Sequence, residues 1–242
     1  GGLGGLGLRA ARLLVGCGAS GVLLSSRSGH VARDGQGLAA QLRALESSAV
    51  AVRVTPSDAA DCSEMNSCIL SSATLSSPLV GFLHLATAFG AALVSTTRPA
   101  DFHECMSAKA HGASHLLAAT RHMCLDAAVF FSSLSALANH SVACRGTAVY
   151  ASANTYLDAL ATSNRRSGGI KALAVDMALV GRQGAGAAQL ARFVSTDGWV
   201  HITIPQYDDI LRSALASLVR FDAVLGGPSS VLPRLSPKPF TE

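Results

Sequence analysis

Gly1-Gly2-Leu3-Gly4-Gly5-Leu6-Gly7 opens the chain and runs straight into an apolar helical pattern at Leu8, Ala11, Leu14 and Val15. Residues without side chains let backbone amides and the N-terminus of the following helix come close to an anion, and a dinucleotide pyrophosphate suits such a loop. A glycine-rich start also fits a merely flexible terminus, so the loop needs support from neighbouring segments. That support is a strand-like run, Gly21-Val22-Leu23-Leu24-Ser25, which ends in Ser26-Arg27-Ser28. Folds that bind NAD place a carboxylate there, about 20 residues after the loop, for the ribose hydroxyls. An arginine flanked by hydroxyls suits a 2′-phosphate instead, which predicts NADPH; the alternative is an ordinary solvated arginine.

Outward from the loop, strand-like apolar runs alternate with helical patterns to the end of the chain. Helices are expected at 6–17, 36–47, 62–73, 99–121, 148–167 and 205–220, and strands at 21–25, 50–54, 79–84, 126–132 and 171–176. A last short strand is expected at 222–226 or 229–232. This alternation predicts an α/β fold, a Rossmann-like doubly wound parallel sheet with helices on both faces. Such a fold carries a strand ahead of its glycine loop. None precedes Gly1, so the sheet is expected to lack its first strand, and the isolated chain to be less stable than its parent. Residues 1–232 read as one domain, and the proline-rich stretch 233–242 as a linker or domain exit.

Composition narrows the function classes. The 242 residues are 49% hydrophobic and 14% charged, enough for one substantial core. The mean hydropathy of +0.37 comes from Ala, Leu and Val. No run reaches the ~18 consecutive apolar residues of a membrane span, so no membrane partner is expected. The net charge of +4 is scattered, without the basic stripe and interleaved aromatics that nucleic acid requires. Cys17, Cys62, Cys68, Cys105, Cys124 and Cys144 stand singly, which reads as free thiols in a reducing, cytoplasmic setting. The eight histidines are equally dispersed, and no metal site is expected.

The second half of the chain carries reaction chemistry. A strand-like run ending Phe130-Phe131-Ser132-Ser133 is followed by Tyr150-Ala151-Ser152-Ala153-Asn154, in which Tyr150 and Asn154 lie one helical turn apart. Carbonyl reduction by a nicotinamide needs a hydroxyl to hold the ketone oxygen, a phenol to protonate it as hydride arrives, and a nearby cation.

Taken in order, the residues resemble a known family. They are the glycine loop, Ser26-Arg27-Ser28, Asp58 after a strand, His84-Leu85-Ala86-Thr87, Ala108-Lys109, Phe131-Ser132-Ser133 and Tyr150 to Asn154. This series resembles the ketoreductase domain of modular polyketide synthases, within the short-chain dehydrogenase/reductases, over nearly the whole chain. Most short-chain reductases carry Tyr-x-x-x-Lys; here Asn154 takes the lysine's place and Lys109 stands on the preceding long helix. That swap is similar to the ketoreductases of polyketide and animal fatty-acid synthases.

The resemblance implies a role for each residue. Tyr150 would be the general acid, and Lys109 the cation that eases proton release from a phenol of ordinary pKa near ~10. Ser133 would stabilise the developing oxyanion, and Asn154 would hold Lys109 or a water in a proton relay. Gly1, Gly2, Gly4, Gly5, Leu6 and Gly7 would line the pyrophosphate. Ser26, Arg27 and Ser28 would meet the 2′-phosphate, Asp58 and Ala59 the adenine, and Leu85 and Ala86 the ribose. The implied reaction is NADPH-dependent reduction of a β-ketoacyl thioester on an acyl carrier protein, with neighbouring synthase domains in the same polypeptide. Singly, Lys109 reads equally as a solvated helix residue, Asn154 as a surface amide and Asp58 as a helix N-cap. Their joint order and spacing favour the roles.

Departures from the family pattern gather near the substrate. Ser133 and Tyr150 lie 17 residues apart. That is about four more than the family's usual spacing, so the loop from Ser135 to Arg145 reads as enlarged and Ser135 rivals Ser133. Thr87 stands where the family has a glycine. Phe89-Gly90-Ala91 replaces the Leu-Asp-Asp marker of one alcohol configuration, the tryptophan of the other class is missing before Tyr150, and Val175-Asp176-Met177 replaces Ala-Trp-Gly. Two other readings remain. One is a freestanding short-chain reductase for a small ketone, disfavoured by the Lys109 and Asn154 arrangement. The other is a structural synthase module that reduces nothing, although a decayed site would not keep Ser, Tyr, Lys and Asn together.

Overall fold

The computed structural model describes residues 1–31, 36–75, 77–89, 93–137, 146–181, 201–220 and 230–231. Along the chain run α1 (Gly5–Gly16), β1 (Gly21–Ser26), α2 (Leu38–Glu46), β2 (Ala51–Pro56), α3 (Cys62–Ser71) and β3 (Gly81–His84). Then come α4 (Pro99–Met106), α5 (Gly112–Thr120), β4 (Ala127–Ser133), α6 (Ala148–Arg166) and β5 (Ala172–Met177). The short β6 (Leu179–Val180) and β7 (His201–Ile202), α7 (Ile204–Arg220) and β8 (Ser230–Val231) complete the order. Among the described residues every strand pair is parallel, and parallel neighbours need crossover connections rather than tight hairpins.

Side-chain alternation along β4 and β5 sorts the helices onto two faces. Val129, Phe131, Leu173, Val175 and Met177 pack with Ala10 and Leu13 of α1 and with Tyr207, Leu211, Ala214 and Leu218 of α7. Ala128, Phe130, Ala172 and Ala174 face the other way, against Ala113 of α5 and Leu157 and Ala161 of α6. Small residues on this second face let the two helices approach closely. Covered on both sides, β5 is buried at all six positions. This is the doubly wound arrangement that the alternating sequence predicts.

The sheet has two parts. β1 pairs with β2, while β3, β4, β5 and β8 form a separate ladder in that order. Among the described residues no strand joins β1 to β3, and both strands border one cavity. The gap between β1 and β3 falls beside the glycine loop.

Two expectations change. The helix expected at 99–121 is interrupted by a π turn at Ser107–His111. Where that turn ends, Gly112 is closely packed: a Cβ there would lie 2.9 Å from the Ala59 side chain and 3.0 Å from the His84 ring. The ring's Nε2 meets the Lys109 carbonyl at 3.0 Å. Of the two positions expected for the last strand, Ser230–Val231 is a strand, whereas 222–226 and the proline-rich tail lie outside the described residues. The β6–β7 pair is unexpected, being too short to leave a periodic pattern.

Candidate active site

At one end of the cavity the chain offers backbone rather than side chains. Gly4 caps α1 without a side-chain hydrogen bond, and no acidic residue lies in the first turn. The first amides of the helix are thus left for an anion, with the helix dipole favouring it. Gly2 donates to the Ser25 carbonyl at 2.8 Å, pinning the loop to the end of β1. A Cβ at Gly1 would lie 2.5 Å from the Leu85 carbonyl carbon, and one at Gly7 would lie 2.6 Å from the Gly2 oxygen. These approaches require glycine and fit a group that must come equally close, such as a pyrophosphate. They also set Leu85 and Ala86 directly against the loop.

Arg27 and Ser28 are exposed just beyond β1. Ser28 Oγ accepts from His30 N at 3.2 Å, which folds this turn back on itself. Asp58 Oδ1 accepts from Ala60 N at 2.9 Å, and Glu64 accepts the Asp58 amide at 2.7 Å. The N-cap of α3 is Asp61, which accepts from Glu64 N at 2.9 Å, so the reading of Asp58 as the cap does not hold. Ser26, Arg27, Ser28, Asp58 and Ala59 all border the cavity.

Buried polar side chains converge at the other end. Lys109 is 3% exposed; its ammonium donates to the Phe131 carbonyl at 2.8 Å and lies 5.4 Å from the Tyr150 ring centroid. Asn154 does not hold Lys109. Its Nδ2 donates to the Tyr150 carbonyl at 2.7 Å, one turn back on α6, and its Oδ1 is buried without a partner among the described residues. The reason is proximity: the helix offers Asn154 a carbonyl four residues back, while the end of β4 offers Lys109 another. Asn154 lies behind Tyr150, not on the cavity wall.

Ser133 Oγ accepts from Ser135 N at 3.3 Å, capping the short turn Leu134–Ala136. Its hydroxyl proton stays available. Ser135 Oγ is buried and unpartnered among the described residues, and both serines line the cavity with Lys109 and Tyr150. Most of the enlarged loop, residues 138–145, lies outside the described residues, as do Gly90 and Ala91. On the same cavity wall, burial first and then the charge of Lys109 push the His84 imidazole down to about 3. The ring is therefore neutral and donates its Nε2 proton to the Lys109 carbonyl.

Three neighbours escape a reading by motif. Ser132, on the opposite side of β4 from Ser133, donates to the Asn154 carbonyl at 3.3 Å. Burial pushes the Asp158 carboxyl up, while Ser132 and Lys109 pull it down. Asp158 lies one further turn beyond Asn154, so helical spacing from Tyr150 was a usable signal for it. The Phe89 ring rests against Tyr150, a contact that nothing in the sequence announces.

The family model of the KR domain matches residues 1–182. The chain belongs to the KR domain family. Among its relatives is the hybrid PKS-NRPS synthetase pyvA of Aspergillus violaceofuscus, 35% identical over 201 residues, which cover 82% of this chain and 5% of that protein. Another is the pikromycin polyketide synthase component PikAIII of Streptomyces venezuelae, 38% identical over 169 residues, 69% of this chain and 10% of that protein. The chain thus spans a tenth or less of these relatives, whose KR domains are small parts of long synthase polypeptides. A solved A1-type ketoreductase superposes with a TM-score of 0.77 at 31% identity, over 90% of this chain and 44% of that one. A metagenomic blue fluorescent protein in complex with NADPH, 17% identical, shares the fold with a TM-score of 0.71 over 95% of this chain and 92% of its own. The KR domain family is one of oxidoreductases of the ketoreductase kind. Among the described residues no helix is long and apolar enough to cross a membrane.

Proposed function

We propose that the chain reduces a β-ketoacyl thioester, carried by an acyl carrier protein, to the β-hydroxyacyl thioester with NADPH, as a domain of a polyketide synthase. The observation that carries this reading is the approach of the buried Lys109 ammonium to Tyr150 on the wall of a cavity that also holds Ser133. The cavity reaches from there to the glycine loop and Arg27, and it also takes in the gap between β1 and β3. The cofactor fits the residues present: glycines where a Cβ would collide, uncapped amides at α1, and a guanidinium near the end of β1. When bound, the nicotinamide supplies the hydride. The substrate and its carrier are inferred from the synthases in which related KR domains reside.

Each side chain then has one task. Tyr150 gives its phenolic proton to the ketone oxygen as negative charge develops there. Lys109 stabilises the phenolate left behind, and its burial strengthens that interaction relative to water. Ser133 Oγ donates to the same oxygen, its own lone pair being engaged by the Ser135 amide. The orphaned Asn154 Oδ1 accepts from a water that returns a proton towards Lys109. Arg27 pairs with the 2′-phosphate.

The test is NADPH oxidation with a β-ketoacyl N-acetylcysteamine thioester. The chain should oxidise NADPH about 100-fold or more faster than its Tyr150→Phe variant, the range of a positioned general acid. No oxidation above that variant would reject the reading and favour the structural module. Ser133→Ala and Ser135→Ala assign the serine: a large loss of kcat/KM on Ser135→Ala alone would move the oxyanion role to Ser135.

A further inference from the structure

The Tyr150 hydroxyl makes no hydrogen bond among the described residues, so packing around its ring is what directs the phenol. Part of that packing is a collar of Cys105, Met106, Val149 and Ala153 from α4 and α6. The remainder is Phe89, whose ring centroid lies 5.0 Å from that of Tyr150 at an interplanar angle of 54°. Tilted aromatic pairs at this distance have a preferred geometry, because ring edges and faces carry opposite partial charge.

Phe89 reaches Tyr150 from an unrelated part of the chain. It ends a short segment that leaves β3, presses Leu85 against Gly1 and is then tethered where the Cys105 thiol donates to the Ala88 carbonyl at 3.4 Å. One end of this segment touches the glycine loop and the other touches the phenol. Both Phe89 and Tyr150 line the cavity.

We propose that Phe89 is a positioning residue for Tyr150, holding the phenol beside Lys109 in one orientation and tying it to the wall that carries the glycine loop. This role rests on the ketoreductase reading of the site. A flexible aliphatic side chain fills similar space but offers no ring face, and a misdirected proton donor slows the chemical step more than it weakens binding.

The experiment compares Phe89→Leu, which keeps an apolar side chain and loses the ring, with Phe89→Tyr, which keeps the ring. Phe89→Leu should lower kcat about tenfold while thioester KM and NADPH Kd stay within about twofold, and Phe89→Tyr should restore kcat to within about twofold. A Phe89→Leu variant with full kcat would overturn the proposal. So would a rise in KM at constant kcat, which marks a substrate-contacting wall, or a Phe89→Tyr variant as slow as Phe89→Leu. A second readout needs no activity. The chain has three tyrosines, so ring-labelled tyrosine gives few NMR signals, and Tyr150→Phe identifies the one of interest. Phe89→Leu should shift that signal by removing a ring current, and an unmoved signal counts against the contact. If the unaltered chain oxidises no NADPH, the ketoreductase reading falls, and the NMR comparison still decides whether Phe89 holds Tyr150.

Discussion

The two ends of the cavity are built by opposite means. Around β1 and β2 the sheet is lightly covered: β2 has no fully buried position, Arg27 is exposed, and the loop presents amides and carbonyls rather than side chains. Around β4 and β5 almost everything is buried, including Lys109, Ser132, Asn154 and Asp176. Holding a large polar cofactor needs an open edge and close backbone approach. Moving a proton needs a few charges kept from water, where each acts strongly on its neighbour. The contrast teaches that binding and chemistry in this fold should be separable by mutation.

The largest effect should come from the buried end. Lys109→Met keeps the length of the side chain and removes its charge beside Tyr150. Steady-state kinetics should give a kcat about 100-fold lower or worse, with NADPH Kd, from fluorescence titration, within about twofold. An equal loss of NADPH affinity would break the contrast, because Lys109 would then belong to both ends.

Arg27→Ala probes the open end. Removing a charge-assisted contact worth about 1.5–3 kcal/mol should raise the NADPH Kd about 10- to 150-fold, leaving NADH affinity and saturating kcat unchanged. The two dissociation constants, measured side by side, decide the matter: equal weakening of both cofactors would leave Arg27 as a solvated surface charge.

The smallest effect concerns stability. His84 titrates near 3 in the folded chain against an ordinary 6.5, so between those values the unfolded state takes up a proton that the folded state refuses. Stability should therefore fall as pH drops below 6.5, by about 2 kcal/mol at pH 5 from this group. Urea midpoints at pH 7 and pH 5 should lie closer together in His84→Gln, which keeps a donor for the Lys109 carbonyl without the titration. Identical pH sensitivity in both proteins would show that acid acts elsewhere.

Legibility in the sequence obeys the same division. The glycine loop, Arg27 and the alternation of strands with helices are local patterns, and the fold and the family can be read from them. Tyr150 and Asn154 are also local, one turn apart on α6. Their surroundings are not. The Lys109 ammonium is fixed by a carbonyl 22 residues away, and the π turn that carries it accommodates a histidine 25 residues away. Asn154 is legible as a residue but not as a partner, because whether Lys109 meets its side chain or the Phe131 carbonyl is decided by distances that spacing does not encode. At the far ends of the chain, Tyr207 donates to the Leu6 carbonyl at 2.9 Å and Arg9 pairs with Asp208 at 2.7 Å, so α7 braces the helix that begins at the glycine loop.

By itself the sequence determined the parallel α/β architecture and the family, and it nominated the candidate reactive side chains, since hydrophobic period, glycine content and residue chemistry are properties of short stretches. Tertiary structure alone decided that Lys109 is buried beside Tyr150, that Asn154 turns back to its own helix, and that Phe89 closes on the phenol. Those outcomes depend on which distant atoms occupy the few ångströms around each group, a quantity that exists only once the helices have packed onto the sheet.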